Sequence, residues 1–261
     1  MIELTEALPP GALCDAPDAA LADDLAGCGV CWWAGSGLQA DGRTGAVTAW
    51  APHMGPRTAL PTDPNEGNGL IGEAGDLTGL QLRDGRHCGM VVDEIAPEAA
   101  QITFALRYLP PHEGDARTVL TLNTGGAARK TPNENYLFVS EAGGMLTVKD
   151  DKDLVELTLP VPAGDAAPRL VMGGLAGDRL SVSVFGGPTA RTQARAQVLT
   201  GSASLFIGCR NQRPGLLKTL GGALICDVWV WPGRCVPGSD AAEDRATLRA
   251  MERFHLWVRD S

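Results

Sequence analysis

The sequence predicts an all-β protein: an antiparallel two-sheet sandwich of the jelly-roll kind, with one helix near the C-terminus. Three observations predict it. Short stretches of apolar and polar residues in strict alternation recur from residue 100 onward, each bounded by Gly, Pro, Asn or Asp. Gly (33) and Pro (18) make up about a fifth of the 261 residues, which disfavours a helical bundle because both destabilise helix interiors. A stripe of helical period is confined to the C-terminal end. With 44% hydrophobic residues, the chain can bury one sizeable core.

The elements follow in order. Val30–Ala34 and Ala46–Ala51 read as strands around the turn Asp41-Gly42. Pro52 to Gly69, rich in Pro, Gly and Asn, reads as a long loop. Gly79–Leu82 and Cys88–Val92 read as a strand pair around Asp84-Gly85. In Gln101–Leu109, Ile102, Phe104, Leu106 and Tyr108 share one face, and Thr103, Ala105 and Arg107 the other. Arg117–Asn123 alternates in the same way. Tyr136–Ser140 and Leu146–Lys149 flank Gly143-Gly144, a strong hairpin signal. Val155–Val161, Arg169–Met172 and Arg179–Phe185 follow, the last two around Gly177-Asp178. Ser204–Arg210 and Leu224–Trp231 complete the strands. Asp240 and Glu243 suit a capping box, and Leu248, Met251 and Val258, with Phe254 or His255, mark the apolar stripe of the final helix.

Charge and cysteines restrict the function classes. The net charge of −9 suits neither nucleic acid nor an anionic membrane. No apolar run approaches the ~20 residues of a membrane span, and nothing resembles a signal peptide. Residues 1–42 hold seven acidic side chains and no Lys or Arg. Residues 1–27 therefore read as an acidic arm, either a solvated lead-in or a segment that docks on a partner, ahead of a single domain over residues 28–261. Seven cysteines without a secretion signal point to reduced thiols made in a cytoplasm. Cys28 and Cys31 form a CxxC without the second pair or the histidine spacing that zinc needs.

Two stretches resemble a family. Cys31–Pro56, with CWWAGSG followed by LQADGRTGAVTAWAPHMGP, resembles the opening strands of bacterial laminin-G-like, concanavalin A-like jelly rolls. Ser204–Gly233, SLFIGCRNQRPGLLKTLGGALICDVWVWPG, is similar to their closing strand pair. The order of these motifs along the chain, more than any one of them, carries the resemblance. It implies the fold. Family members include sugar binders, glycanases, adhesion modules and virion fibre domains, so the fold leaves the function open.

The chemistry narrows it. Glycanases of this kind carry paired glutamates on one strand. The nearest match, Asp151 to Glu156, begins with Asp inside the charge cluster Lys149–Asp153 and reads as a hairpin tip. There is no GxSxG and no phosphate loop. Read in one register, the polar side of the strands gathers Thr103, Arg107, Thr121, Asn123, Ser181, Ser183, Asp227 and Trp229. Val228 and Val230 suit the core, which places Trp229 outward beside Asp227. An aromatic face with Asp, Asn and Arg around it suits saccharide hydroxyls and C–H surfaces. The alternative is that Trp229 and Trp231 pack under the final helix or against a subunit neighbour. The loop from Arg210 and Asn211 to Arg213 offers guanidinium groups to acidic or hydroxyl-rich glycans.

The expected function is thus a non-catalytic carbohydrate-binding module with Arg107, Asn123, Asp227, Trp229, Arg210 and Asn211 at its site. It has no catalytic residue and no required cofactor, although the resemblance leaves calcium open. The expected ligand is a host capsular polysaccharide or lipopolysaccharide. The setting is a spike of a bacteriophage or gene transfer agent, joined to a carrier or spike base through the acidic arm. A jelly-roll glycanase or lyase, and a structural spike subunit without ligand, stand as alternatives.

Overall fold

The structure is a computed structural model that describes residues 17–63, 65, 67–110, 117–124, 136–150, 154–161, 167–193, 198–210 and 222–260. It is a sandwich of two antiparallel sheets. The larger has eight strands. Its order is β15 (Thr189–Gln193), β14 (Arg179–Val184), β13 (Arg169–Ala176), β8 (Gln101–Leu109), β17 (Leu224–Pro232), β6 (Leu77–Gln81) and β5 (Leu70–Ala74). The eighth strand, β1 (Cys31–Ala34), also pairs with β17. β6 holds the start of β17 and β1 its later half, so one edge of a single long strand carries two partners. The seven-stranded sheet runs β12 (Glu156–Pro160), β11 (Met145–Asp150), β10 (Tyr136–Ala142), β9 (Arg117–Thr124), β16 (Ala203–Ile207), β7 (Met90–Ala96) and β4 (Leu60–Pro61). A small ribbon of β2 (Leu38–Ala40) and β3 (Val47–Trp50) sits apart. Two helices, α1 (Pro17–Asp24) and α2 (Ala242–Asp260), flank the strands in the chain.

Turn chemistry explains the connections. Ala142 pairs with Met145 across Gly143-Gly144, whose φ angles of 57° and 75° are those of a two-residue hairpin that L side chains resist. Gly177, at φ 62°, closes the β13–β14 hairpin in the same way. Asp150 shapes the next corner by accepting the N–H groups of Leu154 and Val155.

The alternation read from the sequence sorts the residues correctly. Ile102, Phe104, Leu106 and Tyr108 of β8 enter the core between the sheets, with Val228 and Val230 of β17 and Leu120, Leu122, Leu137 and Val139 of the other sheet. Inside this core Tyr108 donates a hydrogen bond of 2.6 Å to Glu141, which also pairs with Arg169. This buried ionic bridge ties the two sheets together.

Three expectations need correction. β6 and β7 do not form a pair around Asp84-Gly85: they lie in different sheets, so that connection crosses the sandwich. The stretch read as one long loop contains β4, and β5 follows directly after it. Residues 17–27, read as part of an arm, are folded onto the body. Leu21 and Leu25 are buried in a cluster with Ala250, Met251 and Phe254 of α2, and Asp24 pairs with Arg253 at 2.6 Å. Residues 1–16 of the expected arm lie outside the described residues.

The centre of the larger sheet is buried on both faces. Its outer face carries Trp32, Ala105, Leu170, Met172, Trp229 and Trp231, and the two helices close over them as a second apolar layer. No helix among the described residues is long and apolar enough to cross a membrane.

Candidate functional site

The sequence-derived platform divides between opposite sides of the molecule. Arg107, Asp227 and Trp229 lie on the outer face of the larger sheet. Asn123 lies on β9 of the other sheet, opposite Ser204 and Tyr136, and alternates with the core residues Leu120 and Leu122. A linear pattern of alternation cannot tell one outer face from the other, and the single register merged them.

The first group is not a surface. Trp229 is 0% exposed, stacked on Trp32 at 5.5 Å with Phe254 of α2 edge-on at 5.7 Å. The outward parity was right, but α2 covers the face, so Trp229 is a packing residue beyond reach of a sugar. Arg107 and Asp227 form a buried ion pair at 2.5 Å. Asp227 also accepts the Trp32 indole N–H at 3.0 Å, and the Arg107 guanidinium lies 4.9 Å from the Phe254 ring centre. Burial pushes the Asp227 carboxyl above its ordinary value, and Arg107 opposes the push. These groups neutralise each other under a helix, which corrects their assignment to a binding face.

The second group is also enclosed. Asn123 is 1% exposed, and neither amide atom has a hydrogen-bond partner among the described residues. Arg210 lies half-buried with its guanidinium 4.1 Å from the Phe138 ring centre, which occupies one face of the group. Asn211 lies outside the described residues, as do Asp151 and Asp153 of the glycanase-like match. Glu156 of that match is exposed on β12 opposite Lys149. Among the described residues no group of three or more His, Cys, Asp or Glu is placed to hold a metal ion.

An open site among the described residues lies elsewhere, on the uncovered edge of the larger sheet. There the outer face of β14 and β15 meets the segment leading into α2 in a cleft of about 440 Å³. Strand register builds its floor. Arg179 lies opposite Gln193 and Ser181 opposite Arg191, so all four side chains share one face. Gly174, opposite Ser181 on β13, makes room for the far wall: a Cβ there would stand 2.7 Å from Pro237 and 2.9 Å from the Cys235 sulfur. Gly238, at φ 80°, lies so close to the Arg191 guanidinium that a Cβ would meet it at 2.8 Å. Backbone therefore backs that guanidinium. Gln193 donates to Asp178 at 2.9 Å. Ser181 is 7% exposed, and its hydroxyl has no hydrogen bond to a described residue.

Cys235 lines the same cleft. Burial raises its thiol pKa, Asp244 adds to the rise, and Arg179 and Arg191 oppose it. Both arginines thus project their charge into one small space. No Asp or Glu is among the residues lining it.

No family model matches the chain. No curated protein matches it either. Solved structures do share its shape. It is similar to the Trypanosoma rangeli sialidase, with 14% identity and a TM-score of 0.53, over 87% of this chain and 33% of that one. The same sialidase in complex with 2,3-difluorosialic acid gives 13% identity and a TM-score of 0.54, over 85% and 32% of the two chains. The enzymatically active domain of bacteriophage CBA120 tailspike protein 2 gives 15% identity and a TM-score of 0.48, over 76% and 31%. The chain spans about a third of the length of the sialidases it matches. At these identities the likeness is one of fold.

The sequence signal for the cleft was weak. Thr189–Gln193 has no apolar alternation, so its pattern does not mark β15 as a strand. The turn Gly186-Gly187-Pro188 after an alternating strand, followed by two β-branched threonines, was the available clue.

Proposed function

We propose that this chain is a non-catalytic carbohydrate-binding domain of the concanavalin A-like kind, recognising a cell-surface polysaccharide as part of a phage-like particle. The sugar sits in the cleft over β14 and β15. One observation carries the reading: an open cleft whose polar lining retains unsatisfied donors. Arg179 and Arg191 have neither a hydrogen bond nor an ion pair to a described residue. Small-ligand sites combine a concave shape with a few convergent polar groups, and this cleft has both. Most glycanases place two carboxyl groups around the scissile bond, and no Asp or Glu is among the described residues lining this cleft, which supports binding over hydrolysis of that kind.

The test is binding of the purified chain to polysaccharide from candidate host cells, measured by calorimetry, with a reducing-end assay on the same mixture. Saturable binding without new reducing ends supports the reading. Release of reducing ends would support the glycanase alternative. No binding to any capsule or lipopolysaccharide preparation would leave a structural spike subunit.

A further inference from the structure

The charge of the cleft specifies its ligand more closely. The chain carries −9 overall, yet Arg179 and Arg191 stand here without a carboxylate partner among the described residues. Their positions on β14 and β15 are diagonal, which sets the two residues about 7–8 Å apart with their Cβ atoms somewhat closer, a span that one sugar ring bridges. The Arg191 guanidinium packs beside the backbone of Gly238 at the rim of the cleft. Of the nearby acids, Asp178 is engaged by Gln193 and Asp244 is paired with Arg234. On the floor Ser181, 7% exposed, has a hydroxyl with no hydrogen bond to a described residue.

Resting on the saccharide reading above, we infer that the cleft takes an anionic sugar residue. Its carboxylate or phosphate lies between Arg179 and Arg191, and its hydroxyls meet Ser181 and Gln193. Arginine forks suit both anions, because each presents two oxygens to paired N–H donors.

Cys235 reports on occupancy of the cleft. The experiment is alkylation of the full chain with N-ethylmaleimide, read at the Cys235 peptide by mass spectrometry so that the half-buried Cys28 does not interfere. The carboxylate probe is oligogalacturonate, with its carboxyl-reduced form as the neutral counterpart. The phosphate probe is mannose 6-phosphate, with mannose as its counterpart. An anionic probe should slow alkylation about tenfold near saturation while its counterpart does not, and the effect should fade with added salt. The arm that protects identifies the anion. Arg179→Gln and Arg191→Gln should each weaken that probe about 10- to 100-fold, with melting unchanged because both side chains are exposed. Equal protection by a neutral counterpart would overturn the anionic inference and leave the saccharide reading standing. If no probe of either kind protects Cys235, the anionic inference falls, while the saccharide reading is decided separately by the polysaccharide calorimetry. The comparison on the unaltered chain decides the matter even where a variant fails to fold.

Discussion

Replacing Trp229 by alanine removes the centre of the layer between the larger sheet and α2. The side chain is fully buried, and an indole of this kind takes about 150–250 Å² out of water. At about 25 cal/mol per Å² that corresponds to about 4–6 kcal/mol. Contacts with Trp32 and Phe254 add to this loss. One term runs the other way: the buried Nε1–H of Trp229 has no acceptor among the described residues, and deleting it recovers about 1–3 kcal/mol. The expected net loss is about 3–5 kcal/mol, in the usual range for a buried aromatic truncated to alanine. For a chain of this size that lowers the melting temperature by about 6–10 °C. Trp229→Phe keeps most of the apolar area and removes the orphaned donor, so it should cost about 1.5 kcal/mol or less. Thermal melts followed by circular dichroism provide the assay, with saccharide binding measured below the transition. A melting temperature for Trp229→Ala within about 2 °C of the parent, together with lost saccharide binding, would refute the packing argument and return Trp229 to the surface.

The buried pair gives a second test. Asp227→Ala strands Arg107 and the Trp32 indole, and should cost about 3–5 kcal/mol in urea denaturation, whereas Arg107→Met with Asp227→Leu should lie much closer to the parent. Glu141→Ala likewise leaves Arg169 and the Tyr108 hydroxyl without their shared acceptor, and should destabilise by a similar amount, about 3–5 kcal/mol. Gly174→Leu drives a side chain into Pro237 and Cys235; stability should fall by about 1–3 kcal/mol, and any ligand of the cleft should bind more weakly in calorimetry. Burial pushes the Cys226 thiol up to about 12 and raises that of Cys209 as well, against an ordinary value of 9.0. A raised folded-state pKa means that these thiols give their full contribution below the unfolded value and lose it as the pH climbs toward the folded one. Stability should therefore decline above about pH 9, and Cys226→Ala should flatten that decline in a denaturation series.

The sequence revealed the strands better than it revealed what covers them. Gln101–Leu109 was read to the residue, and the parity of Val228, Trp229 and Val230 was right, because side chains alternate strictly along a strand. Whether an outward residue meets water depends on another element. α2 covers Trp229 from more than twenty positions away in the chain, and local pattern carries no record of that contact. Asn123 and Arg107 looked like neighbours because period-2 reading labels faces only as in or out. β15 escaped because an edge strand with exposed polar residues on its outer face needs no apolar run; Ala190 packs against the core, and exposed residues flank it. The cleft was hidden for a related reason: it forms only where that strand meets a loop some forty residues downstream.

The clasp between α1 and α2 has a mechanical consequence. Both ends of the described chain lie in one outer layer, joined by the exposed Asp24–Arg253 pair and by the contact of Leu21 and Leu25 with α2. Tension applied between them loads this clasp first, before any strand is sheared, because no sheet hydrogen bond lies between the two helices. The first event under force is the peeling of the helices, which bares Trp32, Trp229 and Trp231 while the sandwich beneath stays paired. Tryptophan fluorescence in a pulling or surface-tethering experiment would register that step as a red shift at low force, well ahead of rupture of the sheets.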